Sequence, residues 1–111
     1  MTELMQHYLT LSPTERRKID KLYKSFVAKL PCIVSGCHSV ELHHIRKVSL
    51  PAPFGAGMGL KPSHIMCIPL SVQMHRGKGG IHDLSKRFEP MHGIDLMAEL
   101  EKIHKSFMET L

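Results

Sequence analysis

The spacing of apolar residues predicts a long amphipathic helix near the start of the chain. Residues 3–10 can form a short helix before it. Ser12 is the predicted N-cap of the long helix, Pro13 its first residue and Glu15 the residue that completes a capping box. Pro31 is expected to end it. The predicted apolar face has spacings of three and four residues and consists of Ile19, Leu22, Phe26 and Leu30.

The C-terminal segment, IDLMAELEKIHKSFMETL, has the same periodicity. It predicts an amphipathic helix whose leucine and methionine side chains pack in the core rather than around a cofactor. Its predicted apolar face consists of Leu96, Leu100, Ile103, Phe107 and Leu111.

Two apolar runs in the centre of the chain, SVELHHIR (39–46) and HIMCIPL (64–70), predict strands. Between them lies the segment Ser49–Ser63, which holds three prolines and three glycines in fifteen residues. Long segments without secondary structure are uncommon in compact domains and are often functional. We therefore expect a functional loop between the two strands.

After the second strand, the sequence predicts a helix that starts at Ser71 and is interrupted by Gly77, Gly79 and Gly80. A further short helix, DLSKRFEPMHG, is expected to break near Pro90. The fold class that follows is α+β: a strand–loop–strand–helix core flanked by helices. We expect one domain over 1–111, with N-terminal helices in 1–30, the core in 31–92 and a C-terminal helix in 93–111.

Composition places the chain among soluble globular proteins. It has 111 residues, of which 42% are hydrophobic. We expect a cytoplasmic protein without a membrane anchor, because the start lacks a signal-peptide pattern and no run approaches the roughly 20 apolar residues of a span. Three cysteines, an odd number, do not predict a disulfide framework.

Positive charge is concentrated away from the C-terminus. The net charge is +5, with +3 in residues 1–30, +4 in 31–92 and −2 in 93–111. Such a surface attracts polyanions, and nucleic acid is the commonest of these in a cytoplasm. For the N-terminal helix itself, a solvated basic face is the simpler interpretation.

Histidine is the most informative residue type in this chain. There are nine, and seven lie between residues 38 and 92: His38, His43, His44, His64, His75, His82 and His92. Histidine is the commonest metal-coordinating side chain. His75 and His82 are too far apart on a straight helix to share an ion, but the glycines between them allow the chain to bend back.

These spacings predict a metal site formed by His43, His75 and His82, with His44 beside it as a base. A site with three protein ligands and open positions is the catalytic kind. Each histidine alone also has an ordinary structural explanation, as a hydrogen-bonded strand residue or a polar helix end. The prediction therefore depends on the four occurring together.

The segments PCIVSG, VELHHIR, GAGMGLKPSH, CIPLSVQMHRGKGGIH and FEPMHGIDL, in this order, resemble the HNH or ββα-metal nucleases. They are more narrowly similar to the phage branch whose recombination-enhancement nuclease acts with a bacterial recombinase. The resemblance covers roughly residues 31–96. It implies a metal-dependent DNA endonuclease with a ββα-metal core, DNA as substrate and the recombinase as a partner.

The resemblance assigns His43, His75 and His82 as ligands of one divalent ion (Zn²⁺, Mg²⁺, Mn²⁺ or Ni²⁺) and His44 as the general base. Among the basic residues, it assigns Lys61 and Arg76 to the DNA backbone. Arg46 and Lys47, which follow the double histidine, are further predicted DNA contacts. The alternative is a non-enzymatic DNA-binding or recombination adaptor module that a metal ion stabilises.

The sequence also departs from the family. Many relatives carry two CxxC pairs of a zinc knuckle. Here the corresponding positions are occupied by Cys32 and Ser35 in the first pair and by Ser71 and Met74 in the second. His64 replaces the usual Asp or Asn of the loop. A replacement zinc site from Cys32, Cys37, His64 and Cys67 can be drawn, but three buried thiols are the simpler expectation.

Overall fold

The computed structural model describes residues 1–47, 49–55 and 61–111. The described residues form a small α+β fold, which confirms the predicted class at that level. The helices are α1 (Glu3–Leu9), α2 (Pro13–Ala28), α3 (Val72–Arg76), α4 (Ile81–Leu84), α5 (Phe88–His92) and α6 (Leu96–Met108). The strands are β1 (Glu41–His44) and β2 (Cys67–Leu70).

The two strands pair in antiparallel orientation, with His43 opposite Ile68 and His44 opposite Cys67. Both are shorter than predicted. Residues 64–66, expected in the second strand, form a 3-10 turn because the Ser63 side chain accepts the Ile65 N–H and caps it. The ladder still extends one step past β1, since the Ile45 N–H donates to the Met66 carbonyl over 2.9 Å.

Helix α2 begins as predicted. Ser12 and Glu15 form the reciprocal capping box, and Pro13 is at the first helical position. The predicted apolar face is partly wrong: Leu22 is 54% exposed, whereas Tyr23 and Val27 are fully buried. The Tyr23 hydroxyl donates to the carbonyl of Cys67 over 2.7 Å, and this contact with β2 fixes which side of α2 faces the core.

Helix α6 packs against α1, α2 and β2 and closes the core. The predicted inward positions are buried except Leu111, which is 56% exposed because the helix ends at Met108. His104, on the inward face, is 1% exposed. Its Nε2–H donates to the Ile65 carbonyl over 2.6 Å, and its Nδ1 lies 2.6 Å from the Thr2 hydroxyl.

The glycine-rich turn after α3 is confirmed. Ser71 caps α3, which stops at Arg76, and the chain restarts as α4 at Ile81. A Cβ on Gly80 would lie 2.6 Å from the carbonyl oxygen of Gln73, so only glycine allows the chain to double back this closely. The turn returns α4 to the side of α3.

The predicted break near Pro90 is wrong. Pro90 lies in the first turn of α5, where a backbone N–H needs no intrahelical partner, and the helix runs on to His92. It ends at Gly93, whose φ of 65° is in the left-handed region.

The glycine-rich part of the predicted functional loop, residues 56–60, lies outside the described residues. Where the structure is described, no helix is both long enough and apolar enough to cross a membrane.

Candidate functional site

Three histidines from separate elements meet beside β1. The ring centroids of His43 and His75 are 5.1 Å apart, those of His43 and His82 5.3 Å, and those of His75 and His82 4.7 Å. One nitrogen of each ring lies within 4.8 Å of the others. The glycine-rich turn therefore brings His82 back beside His75, as its sequence predicted. We call these three residues the histidine triad.

The triad has the chemistry of a metal site. An imidazole nitrogen lies about 2.0–2.1 Å from a bound Zn²⁺, so ligand atoms on one ion are within about 4 Å of each other. Small side-chain rotations would close the remaining distance. Burial first, and then the neighbouring His75 and His82, lower the pKa of His43 to about 4. His43 is therefore neutral near pH 7, as a ligand must be.

Glu41 orients the triad, and sequence reasoning missed it. Its carboxylate accepts a hydrogen bond from His75 Nδ1 over 2.8 Å and from Arg76 Nη2 over 2.6 Å. The hydrogen bond from Arg76, and to a smaller extent the one from His75, holds the pKa of the Glu41 carboxyl below its ordinary value. The other nitrogen of His75 is left for the triad centre, as in carboxylate–histidine–metal arrangements. The alternation of side chains along a strand could have identified Glu41, because residues two apart, such as Glu41 and His43, lie on the same face.

His44 belongs to a second group of potential ligands. Its Nε2 lies 3.0 Å from His64 Nδ1, and Cys67 is its cross-strand partner. One donor atom of each of these three residues lies within 4.8 Å of the others. We call these residues the His–His–Cys group. His64 thus connects the end of the loop to β1.

The structure does not bring together the four residues of the replacement zinc site, Cys32, Cys37, His64 and Cys67. Among the described residues, neither Cys32 nor Cys37 joins a group of three potential ligands. The expectation of three buried thiols is wrong for Cys37, which is exposed. Cys67 is fully buried, and burial raises the pKa of its thiol to about 12.

The environment of His44 keeps its ring neutral. Burial first, and then the positive potential of His64 and Lys61, lower the pKa of His44. In the tautomer in which His44 Nε2–H donates to His64, the other nitrogen, Nδ1, has its lone pair available. A neutral ring with an available lone pair has the form that a general base requires.

One open cleft of about 450 Å³ is lined by residues of both groups: His43, His44 and His82. Successive side chains of a strand usually point to opposite faces, which would separate His43 from His44. His44 is the last residue of β1, and both residues nevertheless line this cleft.

The structure places two of the four predicted DNA contacts in the lining of the cleft and two outside it. Arg46 and Lys47 line the cleft, and both are exposed. Lys61 is exposed but is not among the lining residues, and its positive potential reaches His44. Arg76 is paired with Glu41. Lys86, which the sequence reasoning did not select, joins the lining.

The cleft also contains two acids, Glu89 and Asp95. Both are engaged at the N-terminus of α6: Glu89 accepts the Leu96 N–H, and Asp95 accepts the N–H groups of Met97 and Ala98. Negative charge is stabilised at a helix N-terminus, so these carboxylates repel an approaching anion less than free ones would.

Comparison with known proteins places this architecture in a family. No curated protein and no solved structure matches the chain. The family described as "Protein of unknown function (DUF968)" matches residues 4–109, which include both histidine groups and all of the fold except the first residue of α1. The chain therefore belongs to the DUF968 family of proteins of unknown function.

Proposed function

We propose that this protein is a metal-dependent DNA endonuclease of the HNH, or ββα-metal, type that hydrolyses phosphodiester bonds with little sequence preference. The observation that carries the proposal is the shared cleft. It brings two residues of the histidine triad and a neutral histidine outside the triad, His44, to one solvent-accessible surface. In this proposal β1, β2 and the helices α3 and α4 form the ββα-metal core.

The histidine triad would hold the divalent ion. Three imidazoles, one of them oriented by Glu41, suit Zn²⁺ or Ni²⁺, whereas Mg²⁺ and Mn²⁺ are bound more weakly by nitrogen. When bound, such an ion supplies positive charge next to the scissile phosphate and the leaving 3′ oxygen. The exposed position of His82 leaves this side of the triad open to a substrate.

His44 is the proposed general base. Its Nδ1 accepts a proton from the water that attacks phosphorus, and its Nε2–H stays hydrogen-bonded to His64. His64 therefore acts as a positioning residue that keeps the ring oriented and selects the tautomer. A merely structural metal ion at the histidine triad would have no use for His44, which lies outside the triad.

DNA would be held through its phosphates. Arg46, Lys47 and Lys86 line the cleft, and the two acids there, Glu89 and Asp95, are engaged at the N-terminus of α6. Phosphate contacts position a protein on DNA without specifying a sequence. The phage origin, the link to recombination and the recombinase partner rest on the sequence resemblance.

The test is nicking of supercoiled plasmid by purified protein with Mg²⁺, Mn²⁺, Ni²⁺ or Zn²⁺, and with EDTA in place of metal. We expect nicking that requires metal and is lost in His82→Ala. The matched control is His38→Ala, which changes an exposed histidine outside both groups and should nick at the parental rate. Nicking that persists in EDTA, or in His82→Ala, would refute the proposal.

One observation favours the alternative, a metal-stabilised DNA-binding module. Helices α3 and α4 contain no fully buried residue and pack against the core only through partly buried side chains, those of Met74, Ile81 and Leu84. A metal ion on the triad would tie both to β1 and supply folding free energy. Tight DNA binding with metal-dependent melting, but no nicking with any of the four ions, would select this function.

A further inference from the structure

We propose that the His–His–Cys group is a second metal-ion site, one that takes a thiophilic ion such as Zn²⁺ and switches His44 off as a base. His44 is the last residue of β1, Cys67 is the first residue of β2, and His64 opens the 3-10 turn between loop and strand. The first part of the proposal concerns metal binding alone. The second part rests on the proposed nuclease function.

The backbone holds the three donors together without a metal. His44 and Cys67 are directly opposite in the two-stranded ladder, and the Cys67 N–H donates to the His64 carbonyl. The donor atoms lie within 4.8 Å of one another, a spacing similar to that of the histidine triad. Among the described residues, the Cys67 sulfur has no hydrogen-bond partner, so metal binding would displace no protein contact there.

The donor set separates this site from the triad. The ion displaces the thiol proton of Cys67, which is released to solvent. The resulting thiolate and two imidazoles form a softer set than three imidazoles, and thiolate selects Zn²⁺ over Mg²⁺ and Mn²⁺. Ions that support catalysis through the triad without binding sulfur would leave the second site empty. Zn²⁺ in excess would fill both.

Metal binding at this site and base catalysis make incompatible demands on His44 Nε2, which must lose its proton to bind the ion and keep it for the ring to act as a base. As a base, His44 keeps its proton on Nε2, which donates to His64, and accepts a second proton on Nδ1. As a ligand, His44 binds the ion through Nε2, and the neutral ring then carries its only proton on Nδ1. A ring in that tautomer has no lone pair left for the proton of water. Occupancy of the second site therefore inhibits cleavage without displacing the ion of the triad.

Co²⁺ is the probe for the binding step, because a thiolate–Co²⁺ bond gives a near-ultraviolet charge-transfer band that imidazole ligands do not give. We expect the band when Co²⁺ is titrated into the intact protein, and its loss in Cys67→Ala. Cys37→Ser is the matched control, since Cys37 is exposed and lies outside the group, and should keep the band.

His64→Asn provides a second variant in case Cys67→Ala does not fold, as judged by circular dichroism. Losing one ligand should move the Co²⁺ titration to about tenfold or higher concentration, since even outer partners of ligands are worth about 10–100-fold. No band in the intact protein, a band retained in Cys67→Ala, or an unshifted titration in His64→Asn would overturn the second site.

The inhibition is tested separately, by adding Zn²⁺ to plasmid nicking supported by Mg²⁺ or Mn²⁺. We expect nicking by the parent protein to fall as Zn²⁺ rises, and Cys67→Ala to withstand at least about tenfold more Zn²⁺. Equal Zn²⁺ sensitivity of the two proteins would overturn the inhibitory role. If neither protein nicks DNA under any condition, the proposed nuclease function fails, whereas the Co²⁺ band still decides whether the second site exists.

Discussion

Two environments of histidine in this molecule lead to opposite roles. Both nitrogens of His104 have partners inside the core, Ile65 and Thr2, and the ring packs edge-on against Tyr23. His43 and His82 border an open cleft, and among the described residues their ring nitrogens have no hydrogen-bond partner. A histidine with both nitrogens satisfied stabilises the fold, whereas converging nitrogens without partners can bind an ion.

This comparison also explains why neither the number of histidines nor a lowered pKa identifies the residues that can bind a metal ion. Burial lowers the pKa of both His104 and His43 to about 4, so the shift does not separate the two roles. What separates them is where the lone pairs point and whether water can reach them. The following predictions test that distinction, from the largest expected effect to the smallest.

The largest effect is expected for His44. Replacing it by alanine should lower the rate of metal-dependent nicking by about 10²–10⁴, because a general base is worth that much. Metal affinity of the histidine triad, measured by isothermal titration with Mn²⁺, should stay at the parental value. A His44→Ala protein that nicks at the parental rate would show that another group activates water.

His104 should act on stability instead of activity. Its neutral form is the one that the fold accommodates, so stability is complete above the ordinary pKa of about 6.5 and is lost as the pH falls toward 4. Over that window the loss attributable to His104 is about 3 kcal/mol. Urea unfolding at several pH values, compared between the parent and His104→Gln, measures it.

In His104→Gln the free energy of unfolding should fall less steeply between pH 6.5 and pH 4 than in the parent, because the amide does not titrate. Other groups, including His43, titrate in both proteins and cancel in the difference. Parallel pH profiles for the two proteins would contradict the structural role assigned to His104.

Replacing Glu41 should have an intermediate effect, on the metal affinity of the histidine triad. Glu41→Ala removes the acceptor that orients His75 and should lower metal affinity by about 10–100-fold. Glu41→Gln should recover part of it, since an amide oxygen still accepts the His75 hydrogen bond. Glu99→Gln is the control, because Glu99 forms an ion pair with Lys102 on α6 instead. Unchanged affinity in Glu41→Ala would place Glu41 outside the metal site.

The smallest effects are expected for the DNA-binding lysines and arginines. Lys47→Ala should weaken binding to unrelated duplexes equally and reduce the salt slope by about 0.9 for each phosphate that the variant no longer neutralises. Arg76→Ala should reduce it less, because Arg76 is paired with Glu41. Lys102→Ala, a change outside the cleft, should leave it unaltered. An equal slope for the parent and Lys47→Ala would remove Lys47 from the DNA interface.

Sequence patterns were reliable where the determining interactions are local. The capping box of α2, the start of α3 at Ser71 and its termination at the glycines depend on residues within a few positions of each other. They failed where packing decides. Leu22 fits the helical period as well as Tyr23 does, yet only the contact with β2 shows which of them faces the core.

The sequence by itself determined the order of elements, the α+β class and the proximity of His75 and His82, because glycine spacing governs a short turn. The tertiary structure decided the partners: Glu41 for His75, His64 and Cys67 for His44, and Ile65 and Thr2 for His104. These residues are separated from their partners by tens of positions along the chain, and strand register and helix packing bring them together. No local periodicity encodes such distances, since they are a property of the whole packed chain.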